Sequence, residues 1–357
     1  MNQGIEIFNG TITDALAVNK RFLLKRPAYI TAFARIASHI KKSGKIRTAL
    51  AEKENLIVPP VLILSVTNEC NLACAGCYAC NQNRDKSAEM SMDQITRVVD
   101  EAAALGVCVV MIAGGEPLMK PGILELPKKH PELLFVMFTN GLMLENELAH
   151  KVGKTKNLIP VMSLEGGQIL TDARRGAGIY NAVTSIMHRL DDDGQLFGVS
   201  VTLTSVNYDE VVRSDYLDTM QEMGCRAAFL IEYVPCGAED VSLCLTEEQK
   251  VHLRAVEKEL YKKHDMLIVS LPGDEEQYGG CLASARGFLH ISSSGSLEAC
   301  PFAPYSDANI KEKTLKEALK SRLLQEIREN HHLLKESRGG CALKENAEWI
   351  ASLGVQK

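Results

Sequence analysis

Three thiols on one short loop, Cys70-x3-Cys74-x2-Cys77, sit directly after the apolar run Val61-Leu62-Ile63-Leu64-Ser65-Val66. A short apolar run of this kind reads as a buried strand, and in parallel α/β architectures ligands gather at the carboxyl ends of strands. Run and loop together therefore place a ligand site at the end of a first strand. The number of thiols narrows the chemistry. A closed structural zinc site takes four protein ligands, whereas a cuboidal 4Fe-4S cluster held by three thiolates keeps one iron free to bind and activate a small molecule. A zinc knuckle completed by Cys80, four thiols within eleven residues, is the competing reading.

From Val61 onward short apolar runs alternate with helical segments, the sign of a parallel sheet built from repeated strand-helix units. Six units are predicted, with strands at Val61–Thr67, Val107–Ala113, Leu133–Thr139, Leu158–Leu164, Phe197–Thr204 and Ala227–Val234. The first helix starts at Ser91 with Gln94 as its capping-box partner and Ile95, Val98, Val99 and Ala102 as its buried face. Residues 1–56 read as a helical lead-in, with Ile30, Phe33, Ala34 and Ala37 at helical spacing. Its basic stretch from Lys41 to Arg47 suits a solvated face, a cover for the end of a barrel, or a contact with an acidic redox partner. The expected organisation is a lead-in over 1–56, a main α/β domain over 57–270 and a smaller C-terminal region over 271–357.

A 357-residue chain, 46% hydrophobic and 24% charged, can bury a substantial core. Its net charge of −5 and 5% aromatic content argue against nucleic acid as a partner. No apolar run approaches the roughly 20 residues that span a bilayer, and the N-terminus lacks a secretory pattern, so the expected compartment is the cytoplasm. Eleven cysteines in a reducing compartment then read as metal ligands, reactive thiols or core fillers rather than disulfides.

The stretch Thr-Asn-Glu-Cys-Asn-Leu-Ala-Cys-Ala-Gly-Cys-Tyr at 67–78 resembles the signature loop of the radical SAM enzymes. The resemblance implies a cluster on Cys70, Cys74 and Cys77 whose open iron is chelated by the amino and carboxylate groups of S-adenosyl-L-methionine. Reductive cleavage of that cofactor would release a 5′-deoxyadenosyl radical that takes a hydrogen atom from a substrate. It also implies a partial (β/α)6 TIM-like barrel, which the six units match. Tyr78 would pack beside the adenine. Gly114-Gly115-Glu116-Pro117 resembles the family's turn for the methionyl amino group, although a strand-to-helix turn would use the same residues for geometry alone. Ser163 and Glu165 offer a hydroxyl and a carboxylate to the ribose, and Arg175 a planar fork to the methionyl carboxylate, although the adjacent Arg174 and Arg175 equally suit plain surface positions. Thr202, Thr204, Asn207, Glu232 and Tyr233 are candidates for the inner wall, with strand register deciding which face each takes.

A second cysteine pattern follows: Cys281, Gly295-x4-Cys300-Pro301, then Cys341 after Gly339-Gly340. It looks like the opening half of the SPASM or the shorter twitch extension, which implies a second, auxiliary 4Fe-4S cluster on Cys281, Cys300 and Cys341. A hairpin over Phe288–Ile291 and Leu297–Ala299 and a helix over Leu315–Arg328 belong to this resemblance. Unrelated buried thiols are the plain alternative. The fourth position is either open or filled by a distant side chain such as Cys236 or Cys244. Cys236 also suits a hydrogen-atom donor, while Cys108 and Cys225 read as packing residues. The implied activity is a radical SAM enzyme acting on a small molecule and reduced by a partner such as ferredoxin or flavodoxin. A maturase of a ribosomal peptide, or a metal-binding or redox-sensing module without turnover, are the alternatives.

Overall fold

Seven apolar runs form consecutive parallel strands: β1 (Val61–Ser65), β2 (Val109–Ala113), β3 (Leu134–Thr139), β4 (Leu158–Leu164), β5 (Gly198–Leu203), β6 (Ala227–Glu232) and β7 (Leu267–Leu271). The computed structural model describes residues 22–23, 25–82, 86–212, 214–235, 238–271, 280–334 and 341–353; Cys236, Gly339 and Gly340 lie outside them. Two further strands, β8 (Phe288–Ile291) and β9 (Leu297–Glu298), complete a sheet in the order β7-β6-β5-β4-β3-β2-β1-β8-β9. β8 pairs in parallel with β1, Leu62 opposite Leu289, and β9 returns antiparallel to it. The six expected strands thus stand in sequence order, and the sheet extends one strand beyond them on one side and a hairpin on the other. β7, behind the 17-residue polar helix Glu247–Lys263, is a five-residue apolar run of the same kind as β1 and is a strand that the count of six units omits.

Alternation along each strand sorts residues into two layers. Leu62, Leu64, Val110, Ile112, Phe135, Val199, Val201 and Leu203 pack beneath the helices that cross between strands. Val61, Val109, Val136, Val161 and Phe229 line the opposite, inner face of the curled half-barrel. The helix Met92–Leu105 opens as expected: Ser91 Oγ accepts from Gln94 N at 3.2 Å, and Gln94 Oε1 accepts from Ser91 N at 2.9 Å. The helix expected over Leu315–Arg328 is instead two, Leu315–Ala318 and Arg322–Glu329. Ser321 interrupts it, accepting from Leu324 N at 3.0 Å and donating to Asp307 Oδ1 at 2.5 Å, so its side chain starts a new helix rather than continuing the old one.

The lead-in contributes a 28-residue helix, Pro27–Glu54, laid against the amino ends of the strands. Ile40 packs against the inner-face cluster, and His39 Nε2 bonds to the carbonyl of Val107 at 3.0 Å, just before β2. Tyr29 Oη accepts from Leu196 N at 2.8 Å, just before β5. Arg47, 2% exposed, donates to Gly106 O and lies 3.2 Å from Cys108 Sγ. Of the three roles open to the basic stretch, its last residue closes the barrel floor, leaving the carboxyl ends of the strands as the mouth. Among the described residues no helix is long and apolar enough to cross a membrane.

Candidate active site at the barrel mouth

The three-thiol loop leaves β1 at the mouth, with Cys70, Cys74 and Cys77 all half-buried. The glycine turn behind β2 braces it. Gly115 N donates to Thr67 O and Glu116 N to Glu69 O, both at 2.7 Å. A side chain on Gly114 or Gly115 would run into those same two carbonyl groups, so glycine is required for this approach. Glu116 is fully buried: it accepts from Thr139 Oγ1 at 2.7 Å, Asn140 N at 2.8 Å and Leu118 N at 3.1 Å. Burial pushes its carboxyl above the usual range against the pull of those bonds. Three of roughly four lone-pair sites are thus taken by the protein.

Opposite this turn stands Glu165, 1% exposed at the end of β4. Its Oε1 receives Arg174 Nη1 at 2.5 Å and Arg175 Nε and Nη2 at 2.8 and 2.5 Å, while Oε2 receives Thr202 N at 3.2 Å. Asn207 Nδ2 holds the Glu165 carbonyl at 3.0 Å. The carboxylate is therefore committed to the two arginines, with little left for a ribose. Arg175 points its remaining Nη1 at Cys74 Sγ, 4.0 Å away, and Arg174 clamps the loop by accepting from Ala75 N and donating to Ala75 O. One carboxylate against two guanidiniums leaves a positive charge in excess beside Cys74, a setting for an anion. Burial raises the Cys74 thiol, with Arg175 opposing, and raises Cys70 as well. Asn140 Nδ2 lies 3.9 Å from Cys70 Sγ and 2.7 Å from Asn71 Oδ1.

Ser163 stands on β4 with its Oγ 3.3 Å from Ser200 Oγ, a polar pair on the inner face. Thr202 and Thr204 share the face of Ser200, and Tyr233 shares that of Phe229. Glu232, by the same alternation, turns toward the helices with Leu230. Tyr233 reaches the cysteine loop: a Cβ on Gly76 would stand 2.9 Å from its hydroxyl.

The second set of thiols is assembled from three segments. Cys281 is half-buried, Cys300 and Cys341 buried, and burial together with the charges of Cys341 and Cys281 drives the Cys300 thiol well above its ordinary range. Cys244 is buried in the turn beside Ser205 and Leu243, and Cys225 and Cys108 are buried packing residues. Among the described residues no three thiols, imidazoles or carboxylates are gathered closely enough to hold one metal ion. A cluster, whose thiolates bind separate irons, does not require that. The donor chemistry of the first loop, with its glycine cradle and surplus positive charge, fits such a group.

One constellation has no counterpart in the sequence reading. Ser65 Oγ is 2.8 Å from His290 Nε2, and His290 Nδ1 is 2.8 Å from Glu298 Oε2, with all three residues buried. It joins the end of β1 to the β8–β9 hairpin two residues before Cys300. The signal available in the sequence is a serine and a histidine inside otherwise apolar strands.

A model described as the radical SAM superfamily matches residues 64–221. The AdoMet-dependent heme synthase of Methanosarcina barkeri is 25% identical over 287 residues, 72% of this chain and 81% of that protein. The mycofactocin maturase MftC of Mycobacterium tuberculosis is 30% identical over 275 residues, 70% of this chain and 66% of the maturase. Among solved structures, Streptococcus suis SuiB bound to its precursor peptide SuiA superposes with a TM-score of 0.63 at 17% identity, covering 79% of this chain and 70% of SuiB, a likeness of fold. The chain belongs to the radical SAM superfamily and is an enzyme of that group, with S-adenosylmethionine and a 4Fe-4S cluster as its cofactors.

Proposed function

We propose that Cys70, Cys74 and Cys77 hold the catalytic 4Fe-4S cluster and that S-adenosylmethionine lies over it in the barrel mouth. When bound, the pair supplies a 5′-deoxyadenosyl radical by reductive cleavage. Gly114 and Gly115 keep the backbone low for the methionyl end, with Glu116 offering its last acceptor position to the amino group. Arg175, locked by Glu165, presents its free edge to the carboxylate, Ser163 offers a hydroxyl to the ribose, and Tyr78 packs beside the adenine. The observation that carries this reading is the pair of 2.7 Å backbone bonds fastening the glycine turn to the thiol loop, which hold the two halves of the site in register. In this reading residues 57–270 are the catalytic barrel, 1–56 its N-terminal lead-in and 271–357 a SPASM- or twitch-like region with an auxiliary 4Fe-4S cluster on Cys281, Cys300 and Cys341.

The radical is assigned a small-molecule substrate, in keeping with the heme synthase, which aligns over most of both chains. A peptide substrate is the second reading, favoured by the mycofactocin maturase and by the peptide-bound SuiB. A cytoplasmic reductase such as ferredoxin or flavodoxin would supply the electron. The deciding experiment is anaerobic reconstitution with iron and sulfide, reduction with S-adenosylmethionine present, and assay for 5′-deoxyadenosine. Its formation, with about eight iron atoms per chain, supports both clusters. About four irons would remove the auxiliary cluster, and zinc in place of iron with no 5′-deoxyadenosine would remove the reading as a whole.

A further inference from the structure

The two cysteine sets are not independent, because the segment leaving one lies against the segment leaving the other. Tyr78, the residue after Cys77, meets Phe302, two residues after Cys300, with ring centroids 4.9 Å apart and planes inclined by 65°. Gln82 Nε2 donates to the carbonyl of Pro301 at 2.6 Å. Ala303 N closes back onto Cys300 O at 3.0 Å, so the aromatic ring is presented from a tight turn whose first residue is the thiol itself. Farther along the same stretch Met90 N donates to Ser293 O at 2.7 Å, Lys311 Nζ to Ala88 O and Arg97 to Ile310 O. The chain leaving the first loop is thus bound to the C-terminal module at several points.

We propose that Phe302 is a positioning residue for S-adenosylmethionine, fixing the ring of Tyr78 edge-on, so that cofactor affinity at the mouth is coupled to occupancy of the Cys281/Cys300/Cys341 site. This rests on the reading in which Tyr78 carries the adenine. Binding a cluster at Cys300 fixes the turn that carries Phe302, and a fixed Phe302 removes from cofactor binding the cost of ordering Tyr78. Linkage makes the effect reciprocal: S-adenosylmethionine must also steady the C-terminal turn.

The test uses the full chain reconstituted with iron and sulfide, with S-adenosylmethionine as the probe. Three readouts are taken: equilibrium binding, the change that the cofactor causes in the EPR spectrum of the reduced cluster, and hydrogen exchange of residues 299–303. Phe302→Ala is expected to weaken binding about three- to tenfold at unchanged iron content. Phe302→Tyr, which keeps the ring, restores it, and exchange at 299–303 slows on cofactor addition in the wild type but not in Phe302→Ala. If Phe302→Ala loses auxiliary iron, Gln82→Ala, which alters no residue of the C-terminal region, takes its place with the same expectation. Variants that retain their iron and bind as tightly as the wild type overturn the coupling alone. A wild type that carries iron yet binds no S-adenosylmethionine overturns the reading of the mouth, and the coupling with it.

Discussion

The first three thiols come from one eight-residue loop and are half-exposed, whereas the second three are drawn from separate segments between Cys281 and Cys341, with two of them buried. The first set is held by strand ends and by two arginines on one carboxylate, so its surroundings are polar, with the arginines beside Cys74 and the Glu116 carboxyl toward Cys70. The second is surrounded by burial, and Glu298 adds negative charge beside Cys300. One site is built by local spacing and electrostatics, the other by the fold. Substitutions should therefore separate chemistry from stability. Cys74→Ala is expected to abolish 5′-deoxyadenosine formation and halve the iron content while leaving the urea midpoint of the cluster-free chain nearly unchanged, a stability difference under about 0.5 kcal/mol. Cys300→Ala, which opens a cavity, should lower that midpoint as well as the iron content. Equal destabilisation by the two would erase the distinction.

The Ser65–His290–Glu298 chain is where the two regions are joined inside the barrel, and it should be the largest stability effect of all. His290→Leu removes the imidazole facing a buried carboxylate, with an expected loss of about 3–5 kcal/mol in urea unfolding. Ser65→Ala should lose only about 1 kcal/mol, since a neutral hydrogen bond is at stake. A His290→Leu variant as stable as the wild type would mean that the hairpin is held to β1 by its backbone ladder alone.

Acidity sharpens the contrast further. Ligand thiols must release their protons before iron binds, so loading of either set weakens as pH falls. Burial raises Cys70 and Cys74 and drives Cys300 well above its ordinary range. As reconstitution is carried from about pH 9 toward about pH 7, the C-terminal set should fail first. Iron per chain would then drop from about eight to about four before 5′-deoxyadenosine formation is affected. Simultaneous loss would indicate that the two sets release their protons alike.

The same division explains what the sequence made legible. The thiol loop, Gly114-Gly115-Glu116 and the six strands follow from spacing, from glycines at a turn and from apolar runs, all short-range signals. The commitment of Glu165 to Arg174 and Arg175 did not, because a carboxylate and two guanidiniums nine and ten residues on, Arg174 next to Arg175, could face solvent, cofactor or one another, and only the close of β4 onto the helix Gln168–Arg175 decides it. The burial of Arg47 at the floor was legible only as one of three roles: a basic stretch most simply suits a solvated face, and which of its members turns inward, here onto Gly106 O and Cys108 Sγ beneath the barrel, is set by the packing of the long helix. The pairing of β8 with β1, the break at Ser321 and the contact of Phe302 with Tyr78 depend on partners some 14 to 230 residues distant in the chain, out of reach of any local pattern.

The smallest expected effect is the relief of strain at one of two glycines, one beside each set. Gly76, between Cys74 and Cys77, has φ +65°, and a Cβ there would approach Tyr233 Oη at 2.9 Å. Gly280, beside Cys281, has φ +113°, and its Cβ would meet the backbone carbonyl of His331. Left-handed backbone alone costs an alanine about 1–2 kcal/mol, so both substitutions destabilise. They differ in what can relieve them. A hydroxyl can be deleted: relative to its effect in the wild type, Tyr233→Phe in the Gly76→Ala background should recover about 0.5–1 kcal/mol by removing the nearest atom. A carbonyl cannot be deleted, so Gly280→Ala should remain the more damaging of the pair in every side-chain background, including His331→Ala. The double-mutant cycle in urea measures the difference. A Gly76→Ala penalty that Tyr233→Phe leaves untouched would show that the mouth loop, like the C-terminal one, is confined by backbone rather than by a side chain reaching over from β6.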